Sequence, residues 1–503
     1  MRARRTILSL TAIFALFWGA WAMLPSAQVS TGGRPVLSDG DRRTYRWFAL
    51  PIRVEGLPSW GQFVPVSSRI DFTALLKQLK ATGAVDVPSL RLARLEGDGK
   101  EVDEPVQFTA APQPRPKERR LLPETPASVS YVAEYPAGKT PESLRIVGDL
   151  TWAARGDQNG KARYVLRFGV PWDGVHVQVP YAPRDLRAFS KSGKALGAHS
   201  FPHMQIRPQR PLDGTVQLYA DRELVTSYHI GPTSAEVTGR FAIRRPFLYP
   251  VNGPDGIALT EFGKPHDPTG SHDHHYSLWV AHTSVNGHDF WSEKGGVIVH
   301  KRFDQLEDGP VYCRLVQSNG WVFGGKEVLQ ERRSLTVYRP LAAFRLMDIE
   351  LELTPPKGEA VTFGKSSFGL LAVRVAQSMS VFDGGGEILT GSGHRNEREA
   401  HLKRACWLDQ SGPVAPGKWG GIAIFDHAEN VNHPTGWHCR NDGWAGAAFA
   451  LDGPYTIKAG EQLRLRYRIL LHRGSTSTGE VAHRYEEYRT RPTVRVGEPA
   501  AID

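Results

Sequence analysis

The sequence predicts an all-β protein, an N-terminal β-sandwich module followed by a larger β domain, and three observations carry that prediction. Short stretches of alternating apolar and polar residues recur along most of the 503-residue chain. Helical periodicity is confined to one short stretch. The 51 glycines and 36 prolines supply the turns that many short strands require. With 40% hydrophobic and 23% charged residues, the chain has the balance of a globular protein with more than one core.

The first segment, residues 1–27, predicts a secretory signal peptide. A basic start, MRARR, precedes an apolar run, and LPSAQ offers small residues for cleavage after Ala27. The alternative is an uncleaved membrane anchor, because the apolar run is near the shortest length that spans a bilayer. No later stretch is apolar enough to span one. We therefore expect a periplasmic or extracellular protein with no integral membrane association after signal cleavage.

The rest of the chain divides into a first β domain at 42–210, a second at 212–485 and a tail, 486–503, that we expect to be loosely held. The one predicted helix is 71–79, which Asp71 would cap. The strands with the clearest alternation follow in chain order: 89–95, 162–168, 215–220, 224–230, 369–376 and 461–471. The last alternates apolar residues with Arg464, Arg466 and Arg468, which predicts a half-buried strand with a basic outer face.

Net charge and cysteine content argue against nucleic-acid binding, a cysteine-based zinc site and a disulfide framework. The net charge is +10, but basic residues are scattered apart from PRPKERR at 114–120. A basic run among prolines is typical of a solvated loop, so we expect no nucleic-acid partner. The three cysteines lack the CxxC spacing of zinc sites and are too few for a disulfide framework.

The second domain carries landmarks that resemble a known bacterial family. They include LVTSYHIG (224–231), RRPFLYPVNGPDG (244–256), SHDHHYSLWVAHTSVNGHDFW (271–291) and GIAIFDHAENVNHPTGWHCRNDGWAGAAF (421–449). Together, over 212–485, they resemble the family called methane oxygenase PmoA-like. The resemblance implies a soluble supersandwich similar to galactose-mutarotase-like proteins. It does not imply a methane monooxygenase subunit, which is an integral membrane protein. It also implies a carbohydrate substrate.

Three histidines match the family pattern D-H-P-H-H: His272, His274 and His275. On a strand, the first two would project from one face about 7 Å apart, and the third from the other face. Two interpretations stay open. His274 and His275 can act as acid and base, or His272 and His274 can bind a divalent metal, the one cofactor considered.

Other candidate residues lie near aromatic side chains or in polar segments. Arg374 stands in an apolar run and needs an anionic partner, such as Asp348, Glu350 or a substrate oxygen. The segment 426–444 is dense in functional groups and interrupted by proline and glycine, which predicts a binding loop. The predicted catalytic set is His274, His275, Arg374 and His438. The predicted substrate-binding set is His272, Trp279, Asn286, Trp291, Asp426, His433, Trp437 and Arg440.

These features predict an exported carbohydrate-active enzyme that uses histidine acid–base chemistry on a sugar or glycoside. The reaction would be cleavage, by hydrolysis or elimination, or epimerisation. Aromatic faces beside polar side chains are how proteins bind pyranoses, so a non-catalytic carbohydrate-binding protein is the main alternative. A metal-dependent oxygenase is the second alternative. Under the main hypothesis, residues 272–275 and 426–444 should line one cavity.

Overall fold

The computed structural model describes residues 45–59, 63–111, 130–136, 145–172, 174–180, 204–208, 214–220, 222–236, 243–263, 272–292, 295–341 and 343–502. The predicted signal segment and the basic stretch 114–120 lie outside these residues. Within the described ranges, no helix is both long enough and apolar enough to span a membrane.

The described residues of the first domain form nine strands, most of them in two antiparallel sheets that face each other across one core. The strands are β1 (Tyr45–Glu55), β2 (Val64–Asp71), β3 (Asp86–Leu95), β4 (Glu101–Glu104), β5 (Val106–Ala110), β6 (Ser130–Pro136), β7 (Val147–Ala154), β8 (Lys161–Pro171) and β9 (Gly174–Pro180). One sheet has the order β1-β8-β3-β4, the other has the order β2-β7-β5, and β6 pairs with β9. Apolar side chains from both larger sheets form the shared core.

The predicted helix is confirmed as α1 (Phe72–Gln78). The Asp71 carboxylate accepts a hydrogen bond from the backbone amide of Ala74 at 2.8 Å, which caps the first turn. Phe72 and Leu76 are buried on the side that faces the core.

The second domain contains nineteen of the described strands. They are β10 (Met204–Pro208), β11 (Thr215–Ala220), β12 (Glu223–His229), β13 (Phe247–Val251), β14 (Leu278–Val280), β15 (Val297–Glu307), β16 (Tyr312–Phe323), β17 (Lys326–Tyr338), β18 (Phe344–Thr354), β19 (Val361–Phe363), β20 (Leu371–Arg374), β21 (Glu387–Thr390), β22 (Lys403–Arg404), β23 (Trp407–Ala415), β24 (Lys418–Asp426), β25 (Gly436–Cys439), β26 (Trp444–Ala448), β27 (Tyr455–Ile457) and β28 (Leu463–Arg473). Short helices lie between or after them: a 3₁₀ helix (Gln377–Met379), α2 (Asn396–Ala400) and α3 (Val481–Arg489).

Two large sheets form the sandwich of the second domain. The nine-stranded sheet has the order β10-β11-β12-β13-β14-β20-β26-β25-β22, and the eight-stranded sheet has the order β15-β16-β17-β18-β28-β24-β23-β21. One continuous apolar core draws residues from both sheets. The predicted all-β class, with a β-sandwich module before a larger supersandwich-like domain, is thereby confirmed. Strand β10 lies inside the predicted first domain but pairs with β11 of the second domain. The strands of the second domain therefore begin at or before Met204.

The predicted basic outer face of β28 is wrong at one position. Arg464 is exposed, but Arg468 on the same strand is buried. Helix α3 explains the difference, because Tyr488 lies over the Arg468 guanidinium at 4.6 Å from the ring centroid. Burial is tolerated since Asp348 accepts two hydrogen bonds from Arg468, at 2.6 and 2.8 Å.

The prediction that the tail, 486–503, is loosely held is also wrong. Two strands, β29 (Thr493–Val496) and β30 (Ala500–Ile502), pair antiparallel with β1 and extend the first domain's larger sheet. Val494 packs against the first domain's core, and the Glu498 carboxylate accepts a hydrogen bond from Gln78 of α1. Apolar packing and backbone pairing to a distant strand hold this segment, and neither is visible in its local composition.

The two domains share a polar contact. The Gln107 side chain of β5 donates to Glu307 at 3.0 Å and accepts from the backbone amides of Val311 and Tyr312 at 3.3 and 3.1 Å. The Thr109 and Tyr312 hydroxyls are 2.6 Å apart. Because Glu307 is buried, the hydrogen bonds that its carboxylate accepts from Gln107, Thr109 and Tyr312 replace the solvation that it loses.

Candidate functional site

Four neighbouring strands of the nine-stranded sheet present side chains to the face turned away from the main core. The cross-strand partners Trp279, Ala372, Gly446 and His438 form one row over β14, β20, β26 and β25. Residues on either side of this row, such as Leu278 and Val373, belong to the main core. Since side chains alternate along a strand, the row points to the opposite face.

The three matched histidines lie beside this row, but in a turn and not on a strand as predicted. The backbone amide of His275 donates to the carbonyl of His272 at 3.0 Å, which closes the turn. The ring centroids of His274 and His275 are 4.5 Å apart, and His272 is 6.2 Å from His274 and 5.1 Å from His275. The turn gathers three imidazoles that a strand would have divided between two faces. We call these residues the histidine turn.

Arg374 holds the histidine turn in place through hydrogen bonds. Its Nη1 donates to Nδ1 of His275 at 2.8 Å, and its Nη2 donates to the backbone oxygen of Asp442 at 2.9 Å. The Asp442 carboxylate is 3.7 Å from Arg374 Nη2 and 3.9 Å from His272 Nε2. The anionic partner is therefore Asp442, while Asp348 and Glu350 pair with arginines of β28 in the other sheet.

Burial and neighbouring positive charge favour the neutral forms of His274 and His275. Desolvation first, and then the Arg245 and His272 charges, lower the pKa of His274 to about 4. Desolvation and the neighbouring His274 and Arg374 lower the pKa of His275 well below its ordinary value. Because Nδ1 of His275 accepts from Arg374, the ring proton of neutral His275 resides on Nε2. At pH 7 the turn therefore offers a base at His274 and a hydrogen-bond donor at His275.

Aromatic rings line the same surface, and we call Trp291, Phe368 and Trp444 the aromatic wall. Trp291 lies 5.5 Å from Trp444 and 5.5 Å from Phe368, and 6.5 Å from His274, between ring centroids. Phe368 is 4.6 Å from His438 and 37% exposed, while both tryptophans are 4% exposed. The rings therefore connect the histidine turn to His438 across the sheet.

His438 forms the far end of this surface. Its Nδ1 lies 3.0 Å from the Ser367 hydroxyl, and its ring is 4.3 Å from Trp444 and 4.7 Å from His401. Desolvation, followed by His401 and then Arg440, lowers its pKa to about 4. Arg440 itself is exposed at the rim.

The other predicted site residues lie apart from this surface or beneath it. Trp279 is 1% exposed and stacks under His275 at 5.4 Å. Asn286 occupies a turn and accepts a hydrogen bond from the Thr362 amide at 2.8 Å. Asp426 is buried and 2.7 Å from Nδ1 of His433. Trp437 belongs to the main core, where its Nε1 donates to the Ala405 carbonyl at 2.9 Å.

The segment 426–444 is consequently not the single loop that its composition predicts. Strand β25 runs through it and β26 begins at its end, so alternate residues point to opposite sides. Its end, with His438, Asp442 and Trp444, reaches the histidine turn. Its start, with Asp426 and His433, forms a separate buried contact.

Sequence reasoning left four contributors out of the predicted site: Phe368, His401, Asp442 and Trp444. Phe368 and His401 are isolated residues with no local motif, and strand order alone brings them to His438. Asp442 and Trp444 had a usable signal, since both lie in the polar segment 426–444. Among the described residues, no three His, Cys, Asp or Glu side chains are grouped so that they could hold a metal ion.

Comparison with known proteins gives one family and a distant structural likeness. Residues 215–486 match a family model described as "Family of unknown function (DUF6807)". The expected PmoA-like relationship is wrong, because the landmarks that suggested it lie within the part that this different family accounts for. No curated protein matches the sequence significantly.

Among solved structures, the chain is similar to one described as "Putative kojibiose phosphorylase from human microbiome". The identity is 7% and the TM-score 0.26, over 55% of this chain and 32% of that one. The matched part therefore spans about a third of that protein's length.

Proposed function

The chain belongs to the DUF6807 family, whose function is unknown, and we propose from the site itself that it is a carbohydrate-active enzyme. The observation that carries the proposal is the histidine turn held by Arg374 and Asp442 beside an aromatic wall. Its chemistry would be proton abstraction from a sugar or glycoside, leading to epimerisation or elimination. Export through residues 1–27 is part of the proposal, and would bring the protein to extracellular glycans.

His274 would be the general base. Its neutral imidazole can take a proton from a carbon next to a carbonyl or carboxylate group, and the electron pair then moves onto the oxygen. Nε2–H of His275 would donate to that oxygen as negative charge develops. Protonation of the same carbon by water on the opposite face would complete epimerisation, with His274 then releasing its proton to solvent, and departure of a β-substituent would complete elimination. Arg374 would be a positioning residue, because it fixes the tautomer of His275.

Hydrolysis is less well supported than proton abstraction. Glycosidases need a protonated acid beside the leaving oxygen. With a pKa of about 4, neither His274 nor His438 would be protonated at pH 7. The aromatic wall would serve either reaction, since the exposed Phe368 ring offers a surface for the C–H face of a pyranose.

The test is turnover and stability of His274→Ala. Loss of a general base should slow turnover roughly 10²–10⁴-fold, while melting temperature should change little because the ring is only partly buried. His288→Ala is the matched control, since His288 lies in the same segment but stacks on Phe323 at 4.0 Å. Substrates would be uronic-acid-containing oligosaccharides and keto derivatives of simple sugars. Normal turnover in His274→Ala would refute the proposed base.

One observation favours a binding protein as the second candidate. Nε1 of Trp291 and Nε2 of His438 are buried without a hydrogen-bond partner. Such groups can bind sugar hydroxyls without any proton transfer. Saturable binding of an oligosaccharide with no product, and equal affinity for the wild-type and His274→Ala proteins, would favour this candidate.

A further inference from the structure

A second concave surface lies on the other large sheet, away from the histidine turn. It is a depression of about 540 Å³ where β21 and β24 approach the segment that follows β28. This volume falls within the roughly 300–1,000 Å³ typical of small-molecule sites. The side chains that matter are those of Glu387, Arg395, Trp419, Ser475, Thr476 and Ser477.

Trp419 supplies an aromatic platform. Its side chain is 39% exposed, although most tryptophans in this chain's described residues are buried. Its backbone carbonyl accepts from the Gly474 amide at 2.8 Å, which ties the platform to the hydroxyl-bearing segment 475–477. An exposed indole beside hydroxyl groups matches a sugar ring, which has an apolar C–H face and polar edges.

Glu387 and Arg395 add hydrogen-bonding groups with no net charge. Arg395 Nη1 lies 3.6 Å from Glu387 Oε2, and the two side chains are 66% and 30% exposed. The hairpin that carries them is held by the Ile388 amide, which donates to Asn396 Oδ1 at 3.0 Å. A carboxylate and a guanidinium can bind pairs of sugar hydroxyls, while their cancelling charges give no advantage to an ionic ligand.

Hydrogen bonds to buried side chains hold the floor of the depression. The Thr476 hydroxyl donates to Asp409 Oδ2 at 2.6 Å, and Asp409 Oδ1 accepts from His472 Nε2 at 3.0 Å. Asp409 and His472 are fully buried, and Nδ1 of His472 faces the Arg473 carbonyl at 3.1 Å. Because its proton is committed to Asp409, the Thr476 oxygen can accept a hydrogen bond from a ligand.

We propose that this depression is a second carbohydrate-binding site, with an uncharged pyranose stacked on Trp419 and bound by Glu387, Arg395 and Thr476. It lies on the eight-stranded sheet, whereas the proposed catalytic surface lies on the nine-stranded one. The site would hold a polysaccharide chain without acting on it.

The test is affinity electrophoresis of the full chain through native gels that contain a neutral glucan, xylan or galactomannan, with polygalacturonate as the charged comparison. We expect retardation by at least one neutral polymer. Trp419→Ala should weaken that binding at least about tenfold. Trp172→Ala is the matched control, because Trp172 is 55% exposed in the first domain and should bind as wild type. Arg395→Ala, at a mostly exposed side chain, repeats the test if Trp419→Ala is unstable.

His274→Ala separates this proposal from the proposed function. Retardation that survives His274→Ala but not Trp419→Ala assigns binding to the depression, whether or not the histidine turn is catalytic. Retardation lost only in His274→Ala overturns the second site. So does unchanged binding by stable Trp419→Ala and Arg395→Ala, retardation by polygalacturonate alone, or no retardation by any neutral polymer.

Discussion

The pKa values of individual histidines in this protein are shifted in opposite directions by what surrounds each ring. His274 is partly buried beside positive charges, and its pKa is lowered to about 4. His472 is buried too, but the carboxylate of Asp409 raises its pKa above the ordinary 6.5 against the opposing effect of desolvation. Both ring nitrogens of His472 face acceptors, so the imidazolium form satisfies both contacts. The surroundings of the ring therefore favour the neutral form of His274 and the charged form of His472.

The pH dependence of each ring follows from these directions. His274 is neutral above its pKa, so the base stays available from pH 7 down to about pH 4, and kcat/KM for proton abstraction should fall only below about pH 5. In NMR titrations its ring signals should move near pH 4, while those of His472 should move above pH 6.5. A His274 midpoint at or above 6.5 would contradict the neutral-base proposal.

At the scale of elements, β18 and β28 carry two arginine–carboxylate ion pairs, one buried and one exposed. Arg468 and Asp348 are held together under helix α3, with side-chain exposures of 7% and 26%. Arg464 and Glu350 form an ion pair on the same two strands, but there the arginine is 53% exposed. Chemically equal pairs should therefore differ in their contribution to stability, because only the first is shielded from water.

Arginine-to-alanine substitutions measure this difference. Arg468→Ala leaves Asp348 without its bidentate partner in a largely covered position, and should lower the free energy of unfolding by about 3–5 kcal/mol. Arg464→Ala should lower it by no more than about 1 kcal/mol, because solvent screens the exposed pair. Urea unfolding of both variants checks the prediction. Equal losses would mean that α3 does not shield Arg468.

The sequence predicts the parts of the fold and of the site that depend on local signals, and misses those that depend on long-range packing. Alternation predicts β28 correctly, and the Asp71 cap predicts α1, because both signals are local. Burial of Arg468 was not predictable, since it depends on a helix that begins only after the strand has ended. The histidines were identified by composition, but their contacts with Arg374 and Asp442 depend on the order β14-β20-β26-β25. Strand order is set by long-range packing, which a single sequence does not display.

Across the whole molecule, the first domain is completed by the last described strands of the chain. Val494 lies opposite the fully buried Val54 and packs against the first domain's core, while Arg495 beside it points outward with a 70% exposed side chain. Stability of the first domain should therefore depend on residues that follow the second domain in sequence.

Substitution at two adjacent positions tests this dependence. Val494→Asp would place a carboxylate against an apolar core and remove a residue suited to a strand, so we expect the melting temperature to fall by several degrees. Arg495→Ala should change it by about a degree or less, because that side chain is mostly in solvent. Thermal unfolding with limited proteolysis of β1 checks both. Equal melting temperatures would show that the strand adds nothing to the first domain.

The pairing of β29 with β1 also means that β1 is synthesised long before the strand that covers its edge. Residue 493 leaves the ribosome long after residue 55, and synthesis at about 5–20 residues per second puts roughly 20–90 s between them. Throughout that interval one edge of β1 has no strand to pair with, and an open edge invites pairing with other chains. A nascent chain therefore exposes this edge from early in translation, and the edge is covered only once residues 493–502 have been made.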